Sequence, residues 1–311
     1  MNWLFIALSS YLLLAIANLL DKFLVDNVLK SSKAYAFVVC ILGLSALLVA
    51  PWFLKWPGFA WAIFNLLAGA VFAGALWALY EALRKGEAAR VLVFIGGLTP
   101  IFSIAFTILF FKETYSLYQW LGMSTLLLGV LLIAFLPQPR SFLARLISKL
   151  RLNQKVTQRG LLIALLSAFL YALYFVGTKH AYNHQAFLSV FLWTRIGAGL
   201  FVLTFLFKKI DRQNIFSMFK KSSPTKRRGL VVFNQVLGSS GFILQNYAVY
   251  LGPVAIVNAL QGFQYAFILV ISAGLAIVAP KSWRENFSWR IFLQKSTAVI
   301  LIGAGLYFIT I

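Results

Sequence analysis

Residues 4–22, LFIALSSYLLLAIANLLDK, and residues 161–179, LLIALLSAFLYALYFVGTK, read as one segment written twice: Ile6, Ala7, Leu8, Ser10, Ala15 and Lys22 recur as Ile163, Ala164, Leu165, Ser167, Ala172 and Lys179. A second pair follows in the same order. KETYSLYQWLGMST from Lys112 lines up with WRENFSWRIFLQKST from Trp283, which sets Glu113 on Glu285 and Ser124-Thr125 on Ser296-Thr297. Apolar segments draw on a small alphabet, so one match means little. Two matches in the same order at nearly the same offset indicate duplication of a larger unit.

Both members of the first pair lie inside apolar runs long enough to cross about 30 Å of hydrocarbon, and such runs recur along the chain. They cover roughly 3–20, 34–54, 59–80, 88–111, 117–136, 160–178, 186–207, 229–250, 253–279 and 291–310. None alternates with polar residues at period two, so backbone groups in lipid are expected to be satisfied within helices, not in a barrel. The expected fold is an all-α membrane protein of ten transmembrane helices, arranged as two inverted five-helix repeats. The units are residues 1–136 and 160–311, joined by a basic amphipathic linker at 137–159. An odd number of helices per unit forces the second copy upside down relative to the first. Met1 to Leu20 lacks a basic start and runs into Asp21 and Lys22 without a small-residue cleavage site, so it reads as a retained first helix.

Composition agrees. The 311 residues are 61% hydrophobic and 11% charged, too apolar for a water-soluble core. A net charge of +21 would suggest nucleic acid in a soluble protein, but here the basic residues fall between the apolar runs, where they orient helices and meet anionic lipid. No nucleic-acid partner is expected. The gaps after odd-numbered runs hold 22 of the 28 Lys and Arg, against Lys55, Lys112 and Lys179 in the even gaps. The odd gaps, including the basic loops 140–159 and 208–228, should then be cytoplasmic in a multi-pass protein of the cell inner (plasma) membrane, with both termini outside. Residues 140–155, RSFLARLISKLRLNQK, set Phe142, Leu143, Leu146, Ile147 and Leu150 at helical spacing among basic residues, as in a helix lying on the membrane surface. Cys40 is the single cysteine, which excludes an intrachain disulfide.

From Tyr80 to Ile133 the chain reads YEALRKGEAARVLVFIGGLTPIFSIAFTILFFKETYSLYQWLGMSTLLLGVLLI. Ala88-Ala89, Thr99-Pro100, Glu113, Gly122 and Gly129 in this stretch resemble the EamA-type domain of the drug/metabolite transporter superfamily. The resemblance extends over all ten helices and weakens in the second half, where Phe267 stands near the position of Pro100 and Lys295 replaces a residue of the glycine region. It implies a carrier with a central cavity between inverted halves, working by alternating access on a small-molecule substrate. Members carry amino acids, nucleotide sugars, sugar phosphates, drugs and lipid-linked sugars. A secondary transporter for a small metabolite, drug-like or anionic solute is therefore the first reading, and a flippase for a lipid-linked sugar or head group is the alternative. Familiar members have cytoplasmic termini, opposite to the charge bias here.

Arg195 is the clearest candidate site residue. It sits in the middle of QAFLSVFLWTRIGAGLFVLTFLF, where a charge costs at least about 2.5–3.5 kcal/mol on insertion scales. A guanidinium fork facing the cavity would suit a carboxylate or phosphate. The alternative is a bond to helix-end carbonyls or a buried acid. In the ninth run Asn258, Gln261, Gln264 and Tyr265 are polar, and 258, 261 and 265 share a face of a continuous helix. Because this helix corresponds to the fourth, which lines the cavity in the resembled family, they are expected to touch substrate. Tyr171, Tyr174, Trp77 and Tyr80 complete the expected substrate-binding set, although aromatic residues near span ends also form interfacial belts. Glu81 and Asp21 are candidates for coupling, and Pro100 for a hinge in the fourth helix. His180 and His184 are four apart but lack nearby Cys, Asp or Glu, so no metal is expected. No phosphate-cradling glycine motif occurs, which argues against an ATP-driven pump. Neither catalysis nor a cofactor is expected, and a homodimer remains open.

Overall fold

The computed structural model describes residues 2–25, 31–85, 88–134, 158–220, 225–278 and 289–310. All regular structure among them is helical. The bundle helices are α1 (Asn2–Val25), α2 (Ser32–Gly43), α3 (Phe59–Lys85), α4 (Ala88–Phe106), α5 (Leu117–Ala134), α6 (Gln158–Tyr182), α7 (Phe187–Leu203), α8 (Thr225–Leu251), α9 (Val254–Ala259), α10 (Gly262–Val278) and α11 (Trp289–Thr310). A 3-10 turn at Leu44–Val49 and a short helix at Ala50–Phe53 extend α2, a π-turn at Thr107–Phe111 extends α4, and a 3-10 turn at Thr204–Phe207 extends α7. A separate helix, Lys209–Lys220, follows α7.

Among the described residues, six spans are long and apolar enough to cross a membrane: Asn2–Leu20, Ser32–Phe53, Phe59–Lys85, Phe94–Phe111, Arg159–Tyr182 and Phe187–Phe207. Leu117–Leu132, Val254–Ile268 and Ser296–Ile309 are shorter apolar helices. Helices α1, α3, α6 and α7 bury small residues, such as Ala7, Ala15, Ala68, Ala75, Ala164, Ala172 and Ala198, and turn Phe5, Phe59, Leu67, Leu162 and Leu200 outward. That distribution suits a bundle solvated by lipid, where contact surfaces need small side chains more than greasy ones.

The two serines aligned in the sequence each bond to a carbonyl of another helix. Ser10 on α1 donates to Gly241 O on α8 at 2.8 Å, and its repeat partner Ser167 on α6 donates to Ala75 O on α3 at 2.9 Å. α5 packs antiparallel to α11, with Gly122 against Gly305 and Ile309, and Gly129 against Ala298 and Ile302. α4 runs antiparallel to α9 and α10, joined by Asn258–Ser103 and Tyr265–Leu92.

Two sequence expectations change here. Residues 253–279 read as one helix, yet the helix breaks at Leu260-Gln261 between α9 and α10. Tight i→i+3 bonds replace the helical ladder there, from Gln261 N to Asn258 O, Phe263 N to Leu260 O and Gln264 N to Gln261 O. Gly262 lets the break press against α5, since a Cβ on it would lie 3.1 Å from Val130 Cγ2. Asn258 and Tyr265 still both face α4, through Ser103 and Leu92, while Gln261 sits half-buried at the break. In α4 the helix runs on through Pro100, and the irregular backbone is instead the π-turn that ends at Lys112, whose φ of 53° is left-handed.

Candidate functional site

Arg195 lies on α7 at 7% exposure. Its guanidinium carbon stands 4.3 Å from the ring centroid of Phe72 on α3, 4.9 Å from Phe191 on α7 and 5.0 Å from Phe242 on α8. The cation is therefore held by ring faces, each of which attracts positive charge. Nη2 donates to Tyr174 Oη at 3.1 Å, and Nε has no hydrogen-bond partner among the described residues. Among the described residues no carboxylate pairs with Arg195, and no helix-end carbonyl accepts from it.

Polar groups extend from this cage in two directions. Tyr174 Oη, fully buried on α6, donates to Asn246 Oδ1 at 2.9 Å, which also accepts from Tyr182 Oη at 3.2 Å. Next to Asn246 on α8, Gln245 Nε2 donates to Tyr11 Oη at 3.3 Å, and Tyr11 donates to Val257 O at 2.7 Å. The neighbouring Asn258 Nδ2 donates to Ser103 Oγ at 2.8 Å, which itself donates to Thr99 O at 2.8 Å. That chain fixes the Asn258 amide and leaves its Oδ1 unpartnered, as is Gln264 Oε1. Unpaired buried acceptors and donors are costly in a protein interior, so Arg195 Nε, Asn258 Oδ1 and Gln264 Oε1 mark polar positions that packing among the described residues does not satisfy.

Cys40 and Tyr171 lie within electrostatic range of Arg195, so they border the same region. Tyr265 is buried and donates to Leu92 O at 2.7 Å, whereas Gln261 is half-buried at the break. Trp77, Tyr80 and Glu81 fall elsewhere, at the basic end of the bundle. There Ser32 Oγ donates to Glu81 Oε2 at 2.6 Å, Tyr35 meets Tyr80 edge to face at 4.5 Å, and Lys33 Nζ pairs with Asp211 Oδ2 at 2.6 Å. Glu81 also pairs with Lys85 at 2.9 Å and Arg84 at 3.4 Å. The Asp21 side chain and the linker segment 140–155 lie outside the described residues.

At the opposite end a cleft of ≈ 370 Å³ opens between Glu113, Tyr115, Gln119, Lys179, Gly252, Pro253 and Ile256. Lys179 Nζ donates to Val249 O and Tyr250 O, both at 3.0 Å, and so covers the exposed carbonyls at the end of α8. Tyr115 Oη donates to Glu113 Oε2 at 2.6 Å. Burial, reinforced by that carboxylate, pushes the Tyr115 hydroxyl above its ordinary value, so it stays a donor. Nearby, the His180 and His184 rings meet at 5.1 Å, tilted, and approach Trp61 at 5.5 Å, tilted, and 5.2 Å, edge to face. Among the described residues no group of three His, Cys, Asp or Glu gathers as a metal site.

The model of the EamA-like transporter family matches residues 1–135 and 158–311. The chain belongs to the EamA-like transporter family. It is thus an integral membrane protein of the drug/metabolite transporter superfamily, which points to a transporter and away from an enzyme. This EamA-like transporter is 33% identical over 107 residues to the "Uncharacterized transporter YdfC" of Bacillus subtilis (strain 168), a match that spans 34% of the chain and 30% of that relative's own length. A solved crystal structure shares its fold at a TM-score of 0.64 and 15% identity, covering 99% of this chain and 96% of the other.

Several site groups of this EamA-like transporter escaped the sequence reading. Phe72, Phe191 and Phe242 look like ordinary apolar positions until α3, α7 and α8 bring them onto Arg195. Gln245 and Asn246 were open to notice, as adjacent amides late in an apolar run. Replacing Tyr174 with Phe should leave Arg195 Nη2 without an acceptor and lower stability by about 1–3 kcal/mol. Thermal unfolding in detergent checks this, and an unshifted melting curve would count against the relay.

Proposed function

We propose that this chain is a secondary transporter of ten spans, built as two inverted five-helix units, 1–136 and 160–311, that moves a small metabolite bearing an anionic group by alternating access. The observation that carries the substrate reading is Arg195: a cation buried mid-span, ringed by aromatic faces and joined to no acid among the described residues. A solute carboxylate or phosphate would supply the missing partner, and the unpaired Nε and the guanidinium plane suit a forked contact. Asn258, Gln264 and Gln261 at the α9–α10 break offer amide oxygens to the rest of the solute, in the manner of discontinuous helices that line transport sites.

The two-unit architecture draws support from the matching Ser10 and Ser167 bonds and from the antiparallel packing of helices that correspond in the repeat, α5 with α11 and α4 with α9 and α10. The contacts at the basic end and the cleft at the other suit a carrier closed on one side. By charge the basic end, with loops 140–159 and 208–228, faces the cytoplasm of an inner membrane.

Counterflow in proteoliposomes tests the reading. Preloading with unlabelled sugar phosphates or carboxylates should stimulate saturable uptake of the labelled compound, while their neutral analogues should not. Unsaturable flux would mean a channel, and movement of lipid-linked sugars alone would mean a flippase. Either result would overturn the proposal.

A further inference from the structure

The helix Lys209–Lys220 is packed on the bundle through one side only. Asp211 and Ile215, one turn apart, are buried at 9% and 1% exposure. The rest of its described surface faces out: Phe207 just before it at 89%, Ile210 at 68% and Phe216 at 54%, alongside exposed Lys208, Lys209 and Arg212. Large apolar side chains interleaved with cations, at the end of a membrane bundle, fit the boundary of an anionic bilayer: the rings and the isoleucine enter the acyl region while the cations meet headgroup phosphates.

The inner side of this helix holds the rest of the basic end together. Asp211 Oδ2 pairs with Lys33 Nζ at 2.6 Å, and the same ammonium lies 5.5 Å from the Trp77 ring and 5.6 Å from Phe205. Lys33 is the second residue of α2. Its neighbour Ser32 bonds Glu81 at the end of α3, and Ser31 caps α2 by accepting from Ala34 N at 3.4 Å. One ion pair therefore connects the surface helix to the start of the helix that carries Cys40 toward Arg195.

We propose that Lys209–Lys220 senses anionic phospholipid: docking of its exposed face on an anionic bilayer surface holds Asp211 on Lys33 and so locks α2 across the basic end. This depends on the chain being membrane-embedded and not on what Arg195 binds. Lipid composition then sets how often that end opens, without any lipid entering the transport path.

Cys40, the single cysteine, is buried on α2 and serves as the native reporter. The protein is reconstituted in vesicles of phosphatidylcholine, or of phosphatidylcholine mixed with phosphatidylglycerol, and the rate of Cys40 modification by a neutral water-soluble thiol reagent is measured. Wild type should label at least about fivefold more slowly in the anionic vesicles, the factor expected from the lipid attraction of a single basic residue, and high salt should shrink the difference. Asp211→Asn should label fast in both lipids and Asp211→Glu should restore the dependence. The triple change of Lys208, Lys209 and Arg212 to Gln, which leaves the ion pair intact, should label at the neutral-vesicle rate in both. Equal wild-type rates in the two lipids, or lipid dependence that survives in Asp211→Asn or in the triple variant, would overturn the proposal. These readings need no transported solute, so they stand apart from failure of the anion reading.

Discussion

Arg195→Met is expected to abolish transport while leaving the melting temperature of the ligand-free protein unchanged or higher. The two effects separate because the arginine is costly where it stands. A cation mid-span costs at least about 2.5–3.5 kcal/mol on insertion scales, and each ring face returns about 0.5–2 kcal/mol. Phe72, Phe191 and Phe242 thus offset much of the cost, but Nε remains unpaired. Methionine, two atoms shorter along the chain, makes favourable sulfur–ring contacts in the same cage and removes both the charge and the orphan donor. Tyr174 loses one donor to its oxygen but still donates to Asn246, so little is left unsatisfied.

Transport behaves differently. Charge-assisted hydrogen bonds are each worth about 1.5–3 kcal/mol, so losing a forked contact to an anionic solute lowers kcat/KM by about a hundredfold or more. Were Arg195 a structural residue, the same change would lower the melting temperature by several degrees. Proteoliposome uptake measured beside thermal unfolding decides it, and undiminished uptake, or loss of uptake together with a markedly lower melting temperature, would refute the assignment.

The same residue shows how far the sequence reads into the site. The depth of Arg195 is visible in the sequence because it lies mid-run, and a mid-run cation in lipid demands an explanation. Its surroundings are not visible, because Phe72 and Phe242 come from α3 and α8 and their registers against α7 are set by packing of small residues that any apolar helix contains. Ser10 and Ser167 were legible as equivalent positions in the sequence, and each anchors its helix by donating to a carbonyl of another helix. The break at Leu260-Gln261 was hidden: hydropathy is unaffected by a change from i→i+4 to i→i+3 bonding, and Gly262 looked like one more packing glycine. Likewise Trp77 and Tyr80 read as substrate-binding candidates and Glu81 as a coupling candidate, but their partners were hidden: Tyr35, Lys33 and Ser32 reach them from a different helix at the basic end. Hydrophobic pattern fixes which residues face lipid. It leaves open which buried faces meet, and sites are made where faces meet.

The register of α3 against α7 is itself expected to rest on two glycines, and Gly197→Ala should lower the melting temperature by several degrees and reduce the yield of folded protein. A Cβ at Gly197 would lie 2.1 Å from Leu66 O, and one at Gly69 would lie 2.0 Å from Thr194 O and 2.8 Å from Ala198 N. Both obstacles are backbone, which cannot rotate aside as a side chain would. The two helices would have to separate along their whole contact, giving up close packing on either side of the mutated position. Overpacking of this kind costs about 1–3 kcal/mol or more, and in lipid no hydrophobic force presses the helices back together. The loss reaches the site, because Phe72 stands one turn beyond Gly69 and Arg195 two residues before Gly197, so separation of α3 from α7 pulls the ring off the guanidinium. Gly303→Ala provides the contrast. Nothing lies within 4 Å of a Cβ there, and alanine is the better helix former by about 0.5–1 kcal/mol, so that variant should melt no lower than wild type. Size-exclusion yield and thermal unfolding of the two variants in one detergent measure the difference. A Gly197→Ala protein that melts with wild type would mean that α3 and α7 can part by an ångström without cost, and the cage around Arg195 would then have no rigid support.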